Sequence, residues 1–230
     1  MADSVSQDFL ETLKLDINLC LANESSLIKL ARIARRLEFH KGELIFHVGD
    51  LSEYFYIVES GRVILSKDTP SGKSFTFLVA TRGLTLNAVT CFKPQPRFFS
   101  ARAAEKTSVI AIPSLTFKHW VLATPVVAAG ILSTMGDLLD GGYTRILDLI
   151  DESVEQRILN SLSMLSSRIG PDLPMTNNDI ADMIGTSRET ASRVISRLQE
   201  AGLLSKSRGY LKILNMPKLD ELSNSPFYIL

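Results

Sequence analysis

Arg188, Glu189, Ser192, Arg193 and Arg197 fall within ten residues, and each carries a side chain able to hydrogen-bond a flat polar edge. Arg188 and Arg193 can each donate two parallel hydrogen bonds to guanine O6 and N7, and Glu189 can accept from a cytosine amino group. Such pairs discriminate between bases by about 1–3 kcal/mol each. A charged helical stripe is more often a solvated face laced with Arg–Glu pairs, so the surroundings of these residues decide. Thr176 with Asp179 three residues on reads as a capping box with Asp in place of the usual Glu or Gln, and Thr186 with Glu189 reads as a second. The first box starts a helix with Ile180, Ala181 and Ile184 inward, stopped by Gly185. The second starts a helix to about Glu200, with Val194, Ile195 and Leu198 inward and Ala201–Gly202 at its end. Two capped helices across a Gly-containing turn form a helix-turn-helix, whose second helix enters the DNA major groove by its N-terminal residues. Leu203–Ser205 and Tyr210–Ile213 read as strands around Lys206–Ser207–Arg208–Gly209, a wing with a basic tip. The predicted contact set to double-stranded DNA is Thr176, Thr186, Ser187, Arg188, Glu189, Ser192, Arg193, Arg197, Lys206 and Arg208.

The whole chain has 25 Lys and Arg against 25 Asp and Glu, a net charge of zero. That does not exclude a polyanionic partner, because the field that matters is local. Between Thr186 and Lys212 six cations stand against Glu189 and Glu200, a net +4 in 27 residues. The 230 residues allow one large or two modest domains, and 45% hydrophobic with 22% charged residues is ordinary for a soluble globular protein. No stretch approaches ~18 uninterrupted apolar residues, and Met1–Asp16 is acidic and amphipathic, unlike a secretory signal. Cys20 and Cys91 are too few for a disulfide framework, which makes the cytoplasm the expected compartment and a membrane partner unexpected. The sequence has no Gly-rich phosphate loop, no HExxH and no Ser-centred elbow, so no enzyme is expected.

The elements that must position the basic face follow from hydrophobic period. Asn23–Arg36 places Leu27, Leu30, Ala31 and Ala34 on one helical face. Between Leu37 and Pro113, short runs (Glu43–Val48, Tyr54–Glu59, Arg62–Lys67, Ser74–Ala80, Thr107–Ile112) alternate with turn residues, indicating an antiparallel β-roll. After Thr124–Pro125, an N-cap followed by proline, a long helix runs to about Asp151. Leu132, Met135, Leu139, Gly142, Ile146 and Leu149 follow alternating steps of three and four along it, a coiled-coil seam, while Ile131, Leu138 and Leu147 form a second apolar flank for the roll. Gly141–Gly142 weakens the helix by about 1 kcal/mol per glycine relative to alanine. Ser153 caps a further helix from Val154 to Arg168. The expected fold is α+β: residues 1–113 a sensor β-roll with flanking helices, 114–151 a short helix and a dimerisation helix, and 152–230 a winged helix-turn-helix.

The segment Thr176–Arg193 resembles the helix-turn-helix of the CRP/FNR family of bacterial transcription regulators. Lys41–Gly49 and Tyr56–Gly61 are similar to the opening of that family's effector β-roll, and the resemblance spans roughly Leu27–Leu214. It implies a homodimer joined by its long helices, binding a pseudopalindrome and acting with RNA polymerase as a partner. The pattern Arg188, Glu189, Arg193 matches the Arg-Glu-x-x-x-Arg of the catabolite-activator branch, which implies a TGTGA half-site and its inverted TCACA partner. A small-molecule effector beneath the roll would bias the central helices, with a hinge near Asp151–Ser153, by a few kcal/mol.

Cyclic-nucleotide-binding relatives use a Gly-Glu pair and an Arg-Ser or Arg-Thr pair to cradle ribose and phosphate. The matching stretch here is Gly83–Phe92, with the carboxylate position at Asn87 or Ala88. Arg97 is the candidate phosphate arginine, and Phe98 follows it where a small hydroxyl is expected. Leu86, Asn87, Ala88, Arg97, Phe98 and Leu138 are the expected effector pocket. A phenylalanine beside a phosphate would desolvate the anion, so cAMP is disfavoured. A four-cysteine iron–sulfur cluster is excluded by two cysteines. Haem, with gas or redox sensing, is the chemical alternative: His47, Cys91 and His119, with His40 and Met135, are the candidate axial ligands.

Overall fold

The computed structural model describes residues 2–69, 74–86, 88–93, 95–207 and 209–223; the side chains of 2–6, 88, 145, 148, 168 and 169 are outside the described set. The chain packs as two compact units, Met1–Met135 and Gly136–Leu230. The division falls inside the segment 114–151 that the sequence sets apart as the dimerisation region.

In the first unit, α1 (Ala2–Leu13) and a 3₁₀ turn (Leu19–Leu21) lead to α2 (Glu24–Ala31), capped by Asn23, whose side chain accepts from the Ser26 amide. The strands are β1 (Arg35–Phe39), β2 (Leu44–Phe46), β3 (Tyr54–Ser60), β4 (Val63–Asp68), β5 (Ser74–Ala80), β6 (Ser100–Ala103) and β7 (Thr107–Pro113), followed by α3 (Ser114–Leu122) and α4 (Pro125–Asp151). They form two antiparallel sheets, β1-β7-β3 and β2-β6-β4-β5. The roll is as expected, with two strands the hydrophobic runs do not announce. β1 takes Arg35–Phe39, so α2 stops at Ala31 rather than Arg36, because Arg35 and Leu37 pair with Ala111 and Val109. β6 is four residues long, with Ala101 and Ala103 fully buried between β2 and β4.

β7 is buried along Thr107–Ile112 because it works on both faces. Side chains alternate along a strand. Val109 and Ala111 therefore join Tyr56, Val58, Leu65 and Leu86 inside the roll, while Ile110 and Ile112 join Phe55 and Ile57 on the other face. That second face is covered by Phe9, Leu13, Leu27, Leu30, Phe117 and Val127 from the helices, with Phe55 and Phe117 stacked at 3.8 Å between ring centroids. The 3₁₀ turn closes onto α4 at Gly130: a side chain there would place its Cβ 2.7 Å from Asn18 Oδ1. One helical turn further, Asn18 Nδ2 donates to Thr134 Oγ1 at 2.9 Å.

α4 runs through Gly141–Gly142 without a break. Of the expected seam, Leu132, Leu139, Ile146 and Leu149 are exposed, with Leu132 at 67% and Leu139 at 60%. Met135 is instead partly buried against the first unit's core, and Gly142 is half-buried. Tyr143 and Ile150, which the expected seam omits, are exposed. Of the expected second flank, Ile131 is buried, Leu138 is half-buried and Leu147 is exposed. No single helix among the described residues is long and apolar enough to cross a membrane.

The second unit continues with α5 (Val154–Ile169), β8 (Asp172–Leu173), α6 (Asn177–Ile184), α7 (Arg188–Glu200), β9 (Leu204–Ser207), β10 (Tyr210–Ile213) and α8 (Met216–Leu222). Ser153 caps α5 as expected, accepting from the Gln156 amide. Asp172–Leu173 pairs antiparallel with β10 and widens the wing to three strands, β8-β10-β9.

Truncating Phe117 removes the ring that holds α3 against β3. Phe117→Ala is expected to cost about 3–5 kcal/mol, read as a lower denaturant midpoint for the full-length chain. An unchanged midpoint would show that this stack is not structural.

Candidate nucleic-acid interface and effector site

The turn between α6 and α7 is built by local hydrogen bonds. Thr176 and Asp179 form the expected capping box: the Thr176 amide donates to Asp179 Oδ2 at 2.7 Å, and the Asp179 amide to Thr176 Oγ1 at 3.2 Å. At the other end of α6, Gly185 is left-handed (φ 72°, ψ 44°), and both its amide and that of Thr186 donate to the Ala181 carbonyl. This closure satisfies the last carbonyls of the helix and favours glycine, because a side chain at positive φ is strained. It also overturns the second predicted box. Thr186 is consumed by the closure, so the cap of α7 is Ser187, whose hydroxyl accepts from the Thr190 amide at 3.2 Å. Glu189 is then the second helical residue, and hydrogen bonds from its own amide and from Ser187 hold its carboxyl below the usual range.

Ile180, Ala181 and Ile184 on α6, and Ala191, Val194, Ile195 and Leu198 on α7, are buried as the spacing requires. The opposite face of α7 exposes Arg188, Glu189 and Arg193. Arg188 and Arg193 form no ion pair among the described residues, which leaves both guanidinium groups open to a partner. Arg197 is placed differently: Glu155 of α5 lies 2.9 Å from its Nη2. This exposed pair is worth at most about 1 kcal/mol, but it engages Arg197 within the subunit. Thr176 and Ser187 are exposed, Thr186 and Ser192 half-buried, and Lys206 is exposed on the wing; Arg208 lies outside the described residues. Lys212, on β10, pairs with Asp172 at 3.3 Å.

The sequence reading passed over Asn177. It opens α6, is buried to 7% exposure, and donates from Nδ2 to Ser192 Oγ at 2.8 Å. The available signal was its position: Asn177, Ile180, Ala181 and Ile184 share one helical face.

In the roll, Leu86 and Arg97 are buried, at 1% and 3% exposure. Arg97 Nη2 donates to the Tyr54 carbonyl at 2.6 Å and Nη1 to Thr90 Oγ1 at 3.3 Å, and its guanidinium lies 3.8 Å from the Phe46 ring centroid. Burial pulls its pKa down from the usual arginine value. Phe98, expected beside Arg97 in the pocket, is 59% exposed and carries Lys67 Nζ 3.3 Å from its ring centroid. The two neighbours lie in the loop before β6, and there Arg97 faces the roll's interior while Phe98 faces solvent. The argument against a nucleotide from Phe98 therefore falls. A different one replaces it: Arg97 is buried at 3% exposure with one N–H of each terminal nitrogen donating to a protein acceptor, and neither candidate for the ribose position, Asn87 or Ala88, is an acid. An arginine so engaged, with no acid available at the ribose position, does not fit a ribose-phosphate clamp. Asn87 and the Ala88 side chain lie outside the described residues, and Leu138 is half-buried in the second unit.

No group of three or more His, Cys, Asp or Glu side chains among the described residues is placed to hold a metal ion. His47 and His119 are exposed, as is His40, and His47 Nδ1 lies 2.7 Å from the Val48 carbonyl. Cys91 is half-buried, with Sγ 3.4 Å from Ser114 Oγ and 3.9 Å from Ser52 Oγ, and burial pushes its thiol pKa up. A thiol so held is a poor thiolate and a poor ligand.

Comparison with known proteins gives a consistent picture. Residues 156–222 match the Crp-like helix-turn-helix domain, and residues 36–122 the cyclic nucleotide-binding domain. The chain is 30% identical over 212 residues to the fumarate and nitrate reduction regulatory protein of Vibrio cholerae, covering 87% of this chain and 84% of that protein. It is 28% identical over 204 residues to the cyclic AMP receptor protein of Thermus thermophilus, covering 88% and 94%. Among solved structures, FixK2 from Bradyrhizobium japonicum aligns with a TM-score of 0.73 at 23% identity, over 84% of this chain and 98% of that one, a likeness of fold.

The two assignments of the α7 cap separate in a simple measurement. Ser187→Ala is expected to destabilise the C-terminal unit by about 1 kcal/mol, seen as a lower melting temperature, and Thr186→Ala to leave the melt near wild type. The reverse order would restore Thr186 as the cap.

Proposed function

The chain belongs to the CRP/FNR family of transcription regulators, and on that premise we propose that it binds DNA as a homodimer at an inverted repeat of TGTGA-type half-sites, under control of a small effector at the N-terminal roll. The observation that carries this reading is the start of α7. Ser187 caps it, its buried face is locked on α6, and Arg188, Glu189 and Arg193 stand exposed where base edges would meet them. The donors and acceptor are those that read G and C in a major groove.

A single such helix covers one half-site. Two copies must present their α7 helices about 34 Å apart to enter successive major grooves, and α4 supports the pairing. Leu132, Leu139 and Ile146 repeat every seven residues and are exposed, and Tyr143 and Ile150 continue the stripe with alternating steps of three and four. An apolar heptad stripe left in water is the surface a coiled coil covers. The segment 114–151 then serves as the dimerisation element between sensor and reader, with α4 ending at Asp151 just before the Ser153 cap as the hinge.

For the effector, control in the roll's interior is supported by the buried Arg97 and Leu86, and an Arg97 that already donates to Tyr54 and Thr90, with no acid at Asn87 or Ala88, speaks against a cyclic nucleotide. RNA polymerase is the expected protein partner and the cytoplasm the expected place of action.

Mobility-shift titration against an inverted TGTGA repeat tests the reading. Arg193→Ala is expected to lose about ten- to a hundredfold of discrimination at one guanine while keeping weak, salt-sensitive binding to any duplex. Equal selectivity in the variant would overturn the assignment. Leu139→Glu should sediment as a monomer and lose the palindrome. A variant that stays dimeric would move the seam elsewhere.

A further inference from the structure

We propose that Asn177 is a positioning residue for base selection: by donating to the Ser192 hydroxyl from α6, it presents that hydroxyl to DNA as a hydrogen-bond donor. The inference rests on α7 being the DNA-reading helix, as proposed above.

A free serine hydroxyl both donates and accepts, and its proton rotates to suit, so it favours no base in particular. Ser192 is not free. Its Oγ accepts from Asn177 Nδ2 at 2.8 Å, across the turn from a side chain only 7% exposed. An oxygen that accepts one hydrogen bond is polarised to donate its own proton more strongly, and that proton must point away from the amide. Ser192 lies three residues after Glu189 and four after Arg188, on the same side of α7, and is half-buried rather than enclosed. Its donor is thereby aimed along the face that carries the readers. Such a donor favours guanine O6 or N7, thymine O4 or adenine N7, and disfavours a cytosine amino group.

The amide's other atom supports the role. Asn177 Oδ1 is buried with no hydrogen-bond partner among the described residues, a cost that an apolar residue on this buried face would avoid. Packing alone does not explain an asparagine here; the contact to Ser192 does. Turning the amide round would bury an unpaired NH₂ instead, and orphaned buried N–H groups are rarer than under-satisfied carbonyls.

The test uses full-length protein and mobility-shift titrations against a set of palindromes in which every half-site position carries each of the four bases, with a random duplex as the non-specific control. Asn177→Ala is expected to flatten the preference at one position by about three- to tenfold. It should be the same position that Ser192→Ala flattens, with affinity for the random duplex unchanged. The double variant should be no flatter than Ser192→Ala alone. The near-isosteric Asn177→Asp, which accepts from the hydroxyl instead of donating to it, should move the preference at that position towards cytosine, and it keeps the test decisive if the alanine variant folds poorly. The proposal is overturned if Asn177→Ala lowers affinity for all duplexes equally, leaves every preference as in wild type, or adds its full effect to that of Ser192→Ala. A wild-type chain with no base preference at any position would instead remove α7 as the reader.

Discussion

Two helices can cross at a tight turn only if the chain reverses direction without leaving the first helix's carbonyls and the second helix's amides exposed to nothing. In this protein the solution occupies three residues. Gly185 in the left-handed conformation lets its own amide and that of Thr186 return to the Ala181 carbonyl, and the Ser187 hydroxyl then accepts from the otherwise free Thr190 amide of α7. The rotation of α7 about its axis follows from this closure together with the burial of Val194, Ile195 and Leu198. Once that rotation is set, Arg188, Glu189 and Arg193 have no freedom to face anywhere but outward. The basic face is thus a consequence of backbone satisfaction and packing, not of the charges themselves, which would repel if nothing held them.

The same logic of a doubly committed element governs the first unit. β7 fills the roll with Val109 and Ala111 and carries the helical layer with Ile110 and Ile112. Any displacement of the roll's interior is therefore felt by the helices that cover its other face, including the first turns of α4 through Val127 and Ile131. The roll's interior and the helical layer are thus coupled through a single strand, with no dedicated lever between them.

Arg97 is the unusual occupant of that interior. A buried guanidinium is costly unless its donors are satisfied, and here a main-chain carbonyl, a threonine hydroxyl and two aromatic rings do the satisfying. The arginine that family resemblance offers to a ligand's phosphate is in this chain part of the roll's own packing. That distinguishes the sensor from one built around a preformed anion site, even though the fold is shared.

What sequence alone determined is local. The caps at Thr176 and Ser153, the inward positions of α6 and α7, the long helix and the chain order of roll, helix and winged domain all depend on residues within four positions of one another or on simple period, and they are found where the residues place them. What only the tertiary structure decided depends on partners far along the chain. Arg35–Phe39 is a strand because β7 lies beside it some seventy residues later. Asp172–Leu173 is a strand because β10 needs a neighbour. Thr186 yields the cap to Ser187 because Ala181 claims its amide, Arg197 is taken by Glu155, and Arg97 turns into the roll while Phe98 faces solvent. Asn177 finds its acceptor only when folding brings Ser192 to it. Period and capping are properties of a short peptide; which donor meets which acceptor is settled only when distant segments are packed against each other.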